Sequence, residues 1–357
     1  MVEDTAGQRS ILVSNQYTLG GTAVRFDQER QALLPLLLHP DPKQVACIGL
    51  ATGITPGAVL SVRGVEHLTA IELSPLVARA ADQYFTDSNY GVTRSERATI
   101  AIEDGRTYIA AAPEKFDLVC GDLFLPWSPG EPRLYSVEHF NAVHASLSDG
   151  GVFCQWLAMY RLTEEQFEMI AETFASVFPD CQLFLNHFRG DAPMLGLVGW
   201  KNPADSHRWR EVAARRIEAL KAAGEILDPV LRHSEALELL ALGPWNGTGN
   251  EKTPLVSLSD PTLEFSAARE RLTGNPGKKY YFMTRWFKFC LQLRQKNKLP
   301  AKVAQRATAL QSLESAAAAK HPMSAKILDF LKGDLPEDLL NDEAADWKRW
   351  PGSVELR

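Results

Sequence analysis

Residues Val45 to Gly53 read VACIGLATG, an apolar run that breaks into a glycine turn. A second apolar run, His67 to Ile71, ends on Glu72, nineteen residues beyond Gly53. This spacing describes a nucleoside-binding βαβ unit: a strand that stops on glycines lets the backbone approach a ligand closely, and an acid at the tip of the next strand can hold both ribose hydroxyls. Further out, a third apolar stretch (98–102) leads into Glu103-Asp104-Gly105-Arg106, and a fourth (116–120) into Gly121-Asp122. Open α/β sheets bind ligands at the carboxyl ends of their strands, so these acids fall on the ligand edge. Acids at those points repel a pyrophosphate and attract a cofactor that carries a sulfonium cation and no phosphate. The expected cofactor is S-adenosylmethionine or its decarboxylated form. NAD-linked redox chemistry is disfavoured further, because the first turn lacks a full GxGxxG.

Strand and helix signals alternate through the first 200 residues. Strands are expected at 45–50, 67–72, 98–103, 116–121, 151–156, 181–186 and 194–199, with helices near 55–62, 74–84, 105–112, 136–147 and 163–178. The last two strands have no helix between them, which predicts an antiparallel closing hairpin. The fold class expected is α/β, a Rossmann-like, methyltransferase-type seven-stranded sheet with an N-terminal β-hairpin and a C-terminal helical extension. The hairpin is placed at 10–26 around a turn at Leu19-Gly20-Gly21-Thr22, and a helix bent by Pro35 at 28–38. Four regions follow: 1–40 (hairpin and helix), 41–200 (the sheet domain), 201–272 (helices at 206–223 and 228–242 and a return strand within 255–265) and 273–357 (helical). Gly274 to Gly277 is the expected linker, and helix pairs such as 301–331 have a solenoid-like look.

A chain of 357 residues that is 45% hydrophobic supports a large core. The net charge of -6 argues against a general nucleic-acid binder. No run reaches the roughly 20 apolar residues of a membrane span. The N-terminus has neither the basic nor the apolar region of a signal peptide, so a cytoplasmic protein is expected. The five cysteines show no CxxC spacing and the eight histidines no HxxxH or HExxH, so free core thiols and no metal site are expected. The stretch Lys278 to Lys298 holds seven basic and six aromatic residues. Phe282, Trp286, Phe289, Cys290 and Leu293 nevertheless share one helical stripe, which reads as core with a solvated basic face.

At Gly49-Leu-Ala-Thr-Gly53, Ile71-Glu72, Glu103-Asp104-Gly105-Arg106, Gly121-Asp122, Leu134-Tyr-Ser-Val-Glu-His-Phe140 and Asp149-Gly150-Gly151, the chain resembles the spermidine synthase (polyamine aminopropyltransferase) family. The similarity runs over roughly residues 10–200, with a weaker echo at Ser259 to Phe265. It is closest to the branch in which such a domain is often fused to a membrane transporter-like half, which this sequence lacks. The resemblance implies that Gly49 and Gly53 form the cofactor turn, that Glu72 binds the ribose, and that Asp104, followed by Gly105, contacts the adenine amino group. It aligns Asp122 with the catalytic aspartate and gives Tyr135 a part in positioning the amine. Trp127 and Trp156 are candidates to stack on the cofactor or face its cation. Asp260 and Glu264 reach the cleft if their segment folds back over the sheet, and Glu264 and Trp127 are then substrate-binding candidates.

The departures bear on the substrate. Thr52 stands where the family's turn carries an aspartate for the aminopropyl ammonium, and Leu125 stands where a second aspartate binds the diamine. Arg30 and Gln31 occupy the region of an expected Tyr-His pair, and Ala51 replaces a glycine of the related branch. Charged hydrogen bonds of this kind contribute about 1.5 to 3 kcal/mol each, so putrescine-to-spermidine activity is disfavoured. Glu131, Glu138 and Glu264 are the acids left to restore amine binding. The expected partner is a small-molecule amine, and the C-terminal helices either cover the cleft or form a homodimer contact. Two rivals remain: an S-adenosylmethionine-dependent methyltransferase on the same fold, and a non-catalytic nucleoside-binding module.

Overall fold

In a computed structural model, the structure describes residues 1–13, 17–187, 192–225, 231–232, 234–247, 253–273, 281 and 283–297. The chain divides into two compact units. The first comprises Met1–Asp122, Asn141–Trp156 and Val198–Ser234, and the second comprises Leu123–Phe140, Leu157–Leu197 and the described residues from 235 onward.

The first unit begins with β1 (Val2–Thr5), β2 (Gln8–Val13) and β3 (Tyr17–Gly21), an antiparallel three-stranded sheet. A hairpin of two strands turning at Gly20-Gly21 is therefore corrected: those glycines end β3, where Ser10 pairs with Gly21 and Ile11 with Gly20. The small sheet is anchored by Ile11, which packs with Val77 and Phe85. Helix α1 (Arg25–Leu36) starts three residues earlier than its apolar pattern suggests and takes Pro35 into its last turn; the Gln31 carbonyl that a residue-35 N–H would engage accepts Nε1 of Trp156 instead. Gln28, Glu29, Arg30 and Gln31 on this helix are all buried.

The sheet follows the expected alternation: β4 (Gln44–Ile48), α2 (Ile54–Leu60), β5 (His67–Glu72), α3 (Pro75–Tyr84), β6 (Ala98–Ile102), α4 (Gly105–Ala111), β7 (Phe116–Gly121), α5 (Val137–Ser146) and β8 (Leu147–Ala158). The strand order in the first unit is β8-β7-β4-β5-β6, all parallel. β4 lies between β5, its successor, and β7, so the connections leave it in opposite directions. A ligand crevice forms at such a reversal, beyond the carboxyl ends of the strands. Ile48 pairs with Ile71 on one side and with Gly121 on the other, which brings the glycine turn, Glu72 and Asp122 to one level. Below them, Cys47, Cys120 and Cys154 form a buried row in register across β4, β7 and β8. All five cysteines are free and buried.

The second unit contains α6 (Glu164–Val177), which opens on a Thr163–Gln166 capping box, and β9 (Gln182–Leu185). β9 lies between β10 (Met194–Trp200) and β11 (Ala241–Pro244). β11 is an additional strand. Helix α7 (Trp209–Ala222), in the first unit, follows β10, but the helix expected to end at 242 stops as α8 (Ser234–Leu240), and the chain then turns extended against Gln182–Phe184. Pro244 cannot continue a helix, and Gly243 has φ 91°. The return strand expected within 255–265 is not formed. Asp260 instead accepts the N–H and hydroxyl of Thr262 at the start of α9 (Thr262–Thr273). In α10 (Met283–Lys296), Trp286, Cys290 and Leu293 are buried as the stripe implies, and Phe289 packs on Phe167 and Tyr281. The expected linker 274–277 and helix pair 301–331 lie outside the described residues. No helix among the described residues is long and apolar enough to cross a membrane.

At the far end of β7, Asp117 accepts the N–H groups of Lys43 (2.8 Å) and Gln44 (3.0 Å) and the Ser148 hydroxyl (2.6 Å), tying β4 and β8 to β7. Burial raises its pKa, but these hydrogen bonds outweigh burial and hold the carboxyl below its usual value. A depressed carboxyl stabilises the fold above its unfolded pKa of about 3.9, and that contribution is lost as the pH falls through the folded value. Asp117→Ala should therefore cost about 1 to 3 kcal/mol at pH 7, and the gap to the wild type should narrow progressively in urea unfolding curves as the pH falls below about 3.9.

Candidate active site

The site residues of the first unit are built around the turn that follows β4. Gly49 has φ 103°, a conformation only glycine adopts without strain. A Cβ added there would lie 3.1 Å from the Cβ of Asp122, so the missing side chain also lets the acid stand against the turn. Ala51 takes φ 48° and carries the mild strain of a left-handed residue where a glycine would carry none. Gly53, at φ 81°, ends the turn and opens α2.

Glu72 is bonded into this turn. Its Oε2 accepts the N–H groups of Leu50 (3.2 Å) and Ala51 (3.3 Å), and its Oε1 accepts that of Ser74 (2.9 Å). In a pyrophosphate site such turn N–H groups point at phosphate; here they point at a protein carboxylate. These two donors are therefore engaged within the protein rather than offered to a phosphate. A carboxylate has about four lone-pair sites, so Glu72 can accept ribose hydroxyls while keeping the turn. Leu73 and Ile102 stand exposed beside it, at 71% and 48%, as apolar surface that a flat base would cover.

Asp104 caps α4. Its Oδ1 accepts the N–H groups of Arg106 and Thr107, both at 3.0 Å, and the Thr107 hydroxyl. Burial raises the pKa of this carboxyl, yet these bonds and the Arg106 charge bring it below the ordinary range. Gly105 is the first residue of the helix it caps.

Asp122 leaves β7 with its N–H on the Ile48 carbonyl (3.1 Å), and its Oδ1 accepts Nε2 of Gln31 (3.1 Å). Gln155 donates Nε2 to the Asp122 carbonyl (2.9 Å) and lies so close to Gly121 that any Cβ there would strike its amide. Trp156 is fully buried and donates Nε1 to the Gln31 carbonyl (2.8 Å). It thus joins α1 to β8 and offers no face for stacking. Thr52 is fully buried and donates to Oε1 of Gln28 (2.8 Å), whose Nε2 reaches the Gly21 carbonyl. The Cys120 thiol is pushed up by its hydrogen bond with Cys47 and by burial, and burial does the same to Cys154; both stay protonated and are poor nucleophiles.

The remaining candidates belong to the second unit. Tyr135 is fully buried with its hydroxyl on the Phe124 carbonyl (2.8 Å). Leu125 is buried, and its N–H is held by Glu131 (2.6 Å). Glu264 accepts the Gly130 N–H, and Glu138 that of Leu258. Trp127 packs against arginines. Gln31 shows in the sequence only as a departure from an expected Tyr-His pair, and Gln28 and Gln155 carry no motif. A single polar residue inside the apolar run Val152 to Leu157, facing a glycine one strand away, was the signal for Gln155.

Residues 25–189 match the Spermine/spermidine synthase domain. Similarity to curated proteins supports the same family. The chain is 28% identical over 189 residues to Polyamine aminopropyltransferase 2 of Hyperthermus butylicus (53% of this chain, 61% of that protein). It is 30% identical over 177 residues to Polyamine aminopropyltransferase of Aeropyrum pernix (48% of this chain, 56% of that protein). The aligned part thus spans less than two thirds of the length of these relatives. Among solved structures, spermidine synthase from Thermotoga maritima aligns with TM-score 0.46 at 21% identity, covering 63% of this chain and 87% of that one.

Glu72→Ala removes the acceptor of three backbone N–H groups and the acid at the end of β5. It should lower stability by about 1 to 3 kcal/mol in denaturant titrations and also abolish adenosyl-ligand binding. A variant that lost binding at unchanged stability would contradict the dual role.

Proposed function

We propose that this chain is a spermidine synthase-like transferase that binds S-adenosylmethionine or its decarboxylated form and alkylates an amine. The observation that carries the reading is the position of Asp122, packed against Gly49 at the carboxyl edge of the sheet and oriented by Gln31, level with Glu72. In this reading Glu72 holds the ribose, Asp104 the base edge, and Gly49 to Gly53 the nucleoside backbone. The motifs resemble the branch often fused to a membrane transporter-like half.

A bound adenosyl sulfonium supplies an electrophilic carbon and a neutral thioether leaving group. The protein must then deliver an amine whose lone pair is free. Asp122 accepts the ammonium proton, by analogy with general bases that contribute roughly 10²- to 10⁴-fold. The Gln31 amide fixes Oδ1 and stabilises the charged carboxylate, so the acid stays aligned while it waits for the proton. Trp156 and the Cys120 thiol in turn fix the backbone of Gln31 through its carbonyl.

Methyl transfer is the second reading, and the buried Thr52–Gln28 pair favours it. That pair occupies the place of the acid expected to receive an aminopropyl ammonium.

Calorimetric titration with S-adenosylmethionine, its decarboxylated form and methylthioadenosine tests the proposal. At least one should bind with a Kd in the micromolar range, and the preferred sulfonium identifies the transferred group. Asp122→Asn should retain that binding while product release falls at least 100-fold. Gln31→Leu should lower kcat about tenfold and move the acidic limb of the pH profile upward, because the charged carboxylate loses a donor. Failure of all three ligands to bind would leave a module without this cofactor.

A further inference from the structure

The lateral edge of the first unit's sheet carries no guard. β6 (Ala98–Ile102) has β5 on one side and, among the described residues, no strand on the other. Edge strands are ordinarily kept from pairing with another chain by charges, proline or a bulge. The residues of β6, ATIAI, include no charge and no proline, and their register with β5 runs without a shift. The ladder also fixes which backbone groups stand free. The Arg97 carbonyl accepts the Leu68 N–H and the Glu103 N–H reaches the Glu72 carbonyl, so Arg97, Thr99, Ala101 and Glu103 turn their backbone groups toward β5. Ala98, Ile100 and Ile102 turn theirs outward. Among the described residues the Ala98 N–H is engaged by the Ser95 carbonyl, whereas the N–H groups of Ile100 and Ile102 have no acceptor. The side chains of Ile100 and Ile102 line a cavity of about 350 Å³ together with Pro75 and Ala78 of α3, and Ile102 is 48% exposed.

We propose that a second copy of this chain docks on this edge, β6 against β6, to form one continuous sheet across a two-fold axis at Ile100. The edge is complementary to itself in that register. A two-fold antiparallel pairing must centre on a residue whose backbone groups point outward, and Ile100 is the centre that engages the whole strand. Ile100 then exchanges its N–H and carbonyl with the partner's Ile100. The Ile102 N–H donates to the carbonyl of the partner's Ala98, which leaves the bond between Ala98 and Ser95 intact. Side chains meet as matched pairs: Ile102 faces the partner's Ala98, Thr99 the partner's Ala101, and Arg97 the partner's Glu103. The last pair joins opposite charges that have no counterion within the chain. Arg97 donates to the Leu60 and Val65 carbonyls, and Glu103 is exposed with no hydrogen bond or ion pair among the described residues. Centring the axis on Ala98 or Ile102 runs half of each strand past the end of the other and loses this pair. A partner strand beside β6 also extends the apolar floor of the cavity under α3. The contact lies wholly within the first unit and does not depend on the transferase reading.

Sedimentation velocity combined with residue-resolved amide hydrogen exchange on the full chain tests it. The chain should sediment as a dimer at roughly 100 µM, well above a micromolar dissociation constant. In the dimer the Ile100 and Ile102 amides should be protected, and on dilution to the monomer they should exchange about tenfold faster or more, while Thr99 and Ala101 stay protected by β5 throughout. Ile100→Pro removes an outward N–H and no bond to β5, so it should weaken the dimer about tenfold or more. Glu103→Arg sets arginine against the partner's Arg97 and should also weaken it about tenfold. Slow exchange at Thr99 and Ala101 shows that each variant keeps the sheet. A monomer at the higher concentration, a dimer in which Ile100 and Ile102 exchange freely, or full dimer affinity in either variant overturns the proposal. Protection of Ile100 and Ile102 that survives dilution to the monomer overturns it as well, because the edge is then covered by the chain itself.

Discussion

The bond between the Glu72 carboxylate and the N–H groups of Leu50 and Ala51 is the constraint from which the site follows. It closes the turn after β4 onto the end of β5, and so settles what charge the turn presents. A free turn of amides would be an anion nest. A turn already engaged by a carboxylate presents negative charge instead, and Asp104 and Asp122 extend that charge along the sheet edge. The arrangement depends on β4 lying between β5 and β7, because only that strand order brings the next strand's acid and β7's acid to the same turn.

Beneath this edge the polar groups belong to a layer of amides. Gln28, Gln31 and Gln155 are all buried, and each donates to or accepts from a residue of the turn or of the β7 end. An amide carries both a donor and an acceptor without charge, so it can satisfy buried backbone carbonyls that a carboxylate would repel. Thr52 belongs to this layer rather than to the ligand surface. Its replacement of an expected acid is coupled to Gln28, with which it shares a hydrogen bond, so the two positions act as one unit.

Much of the architecture was legible in the sequence because burial on both faces leaves apolar runs in the inner strands such as β4 and β7, while β6, at the sheet edge and not buried, was read from its short β-branched stretch. The acids at strand ends were legible for the same reason, since they terminate those runs. The N-terminal turn was misplaced because Gly20 and Gly21 look like a hairpin turn, while β3 uses them as extended residues beside Ser10 and Ile11. β11 was hidden because Glu235 to Leu242 has helical periodicity, and Gly243-Pro244 and pairing with β9 override its last residues. Asp260 reads as a site acid from sequence, yet its short side chain closes on Thr262 two residues away. Gln31 was invisible as a site residue because its partner is 91 positions distant, and no local spacing reports such a pair.

The cysteine row across β4, β7 and β8 gives the sheet a built-in reporter. Cys47, Cys120 and Cys154 are each within two percent of complete burial, one step beneath the turn and Asp122. The Cys47 thiol and burial keep Cys120 protonated, and burial alone does so for Cys154, so a thiol reagent finds no nucleophile there while the strands stay paired. Modification of these sulfurs therefore measures how often the central strands separate, a clock for the opening of the layer that holds the site.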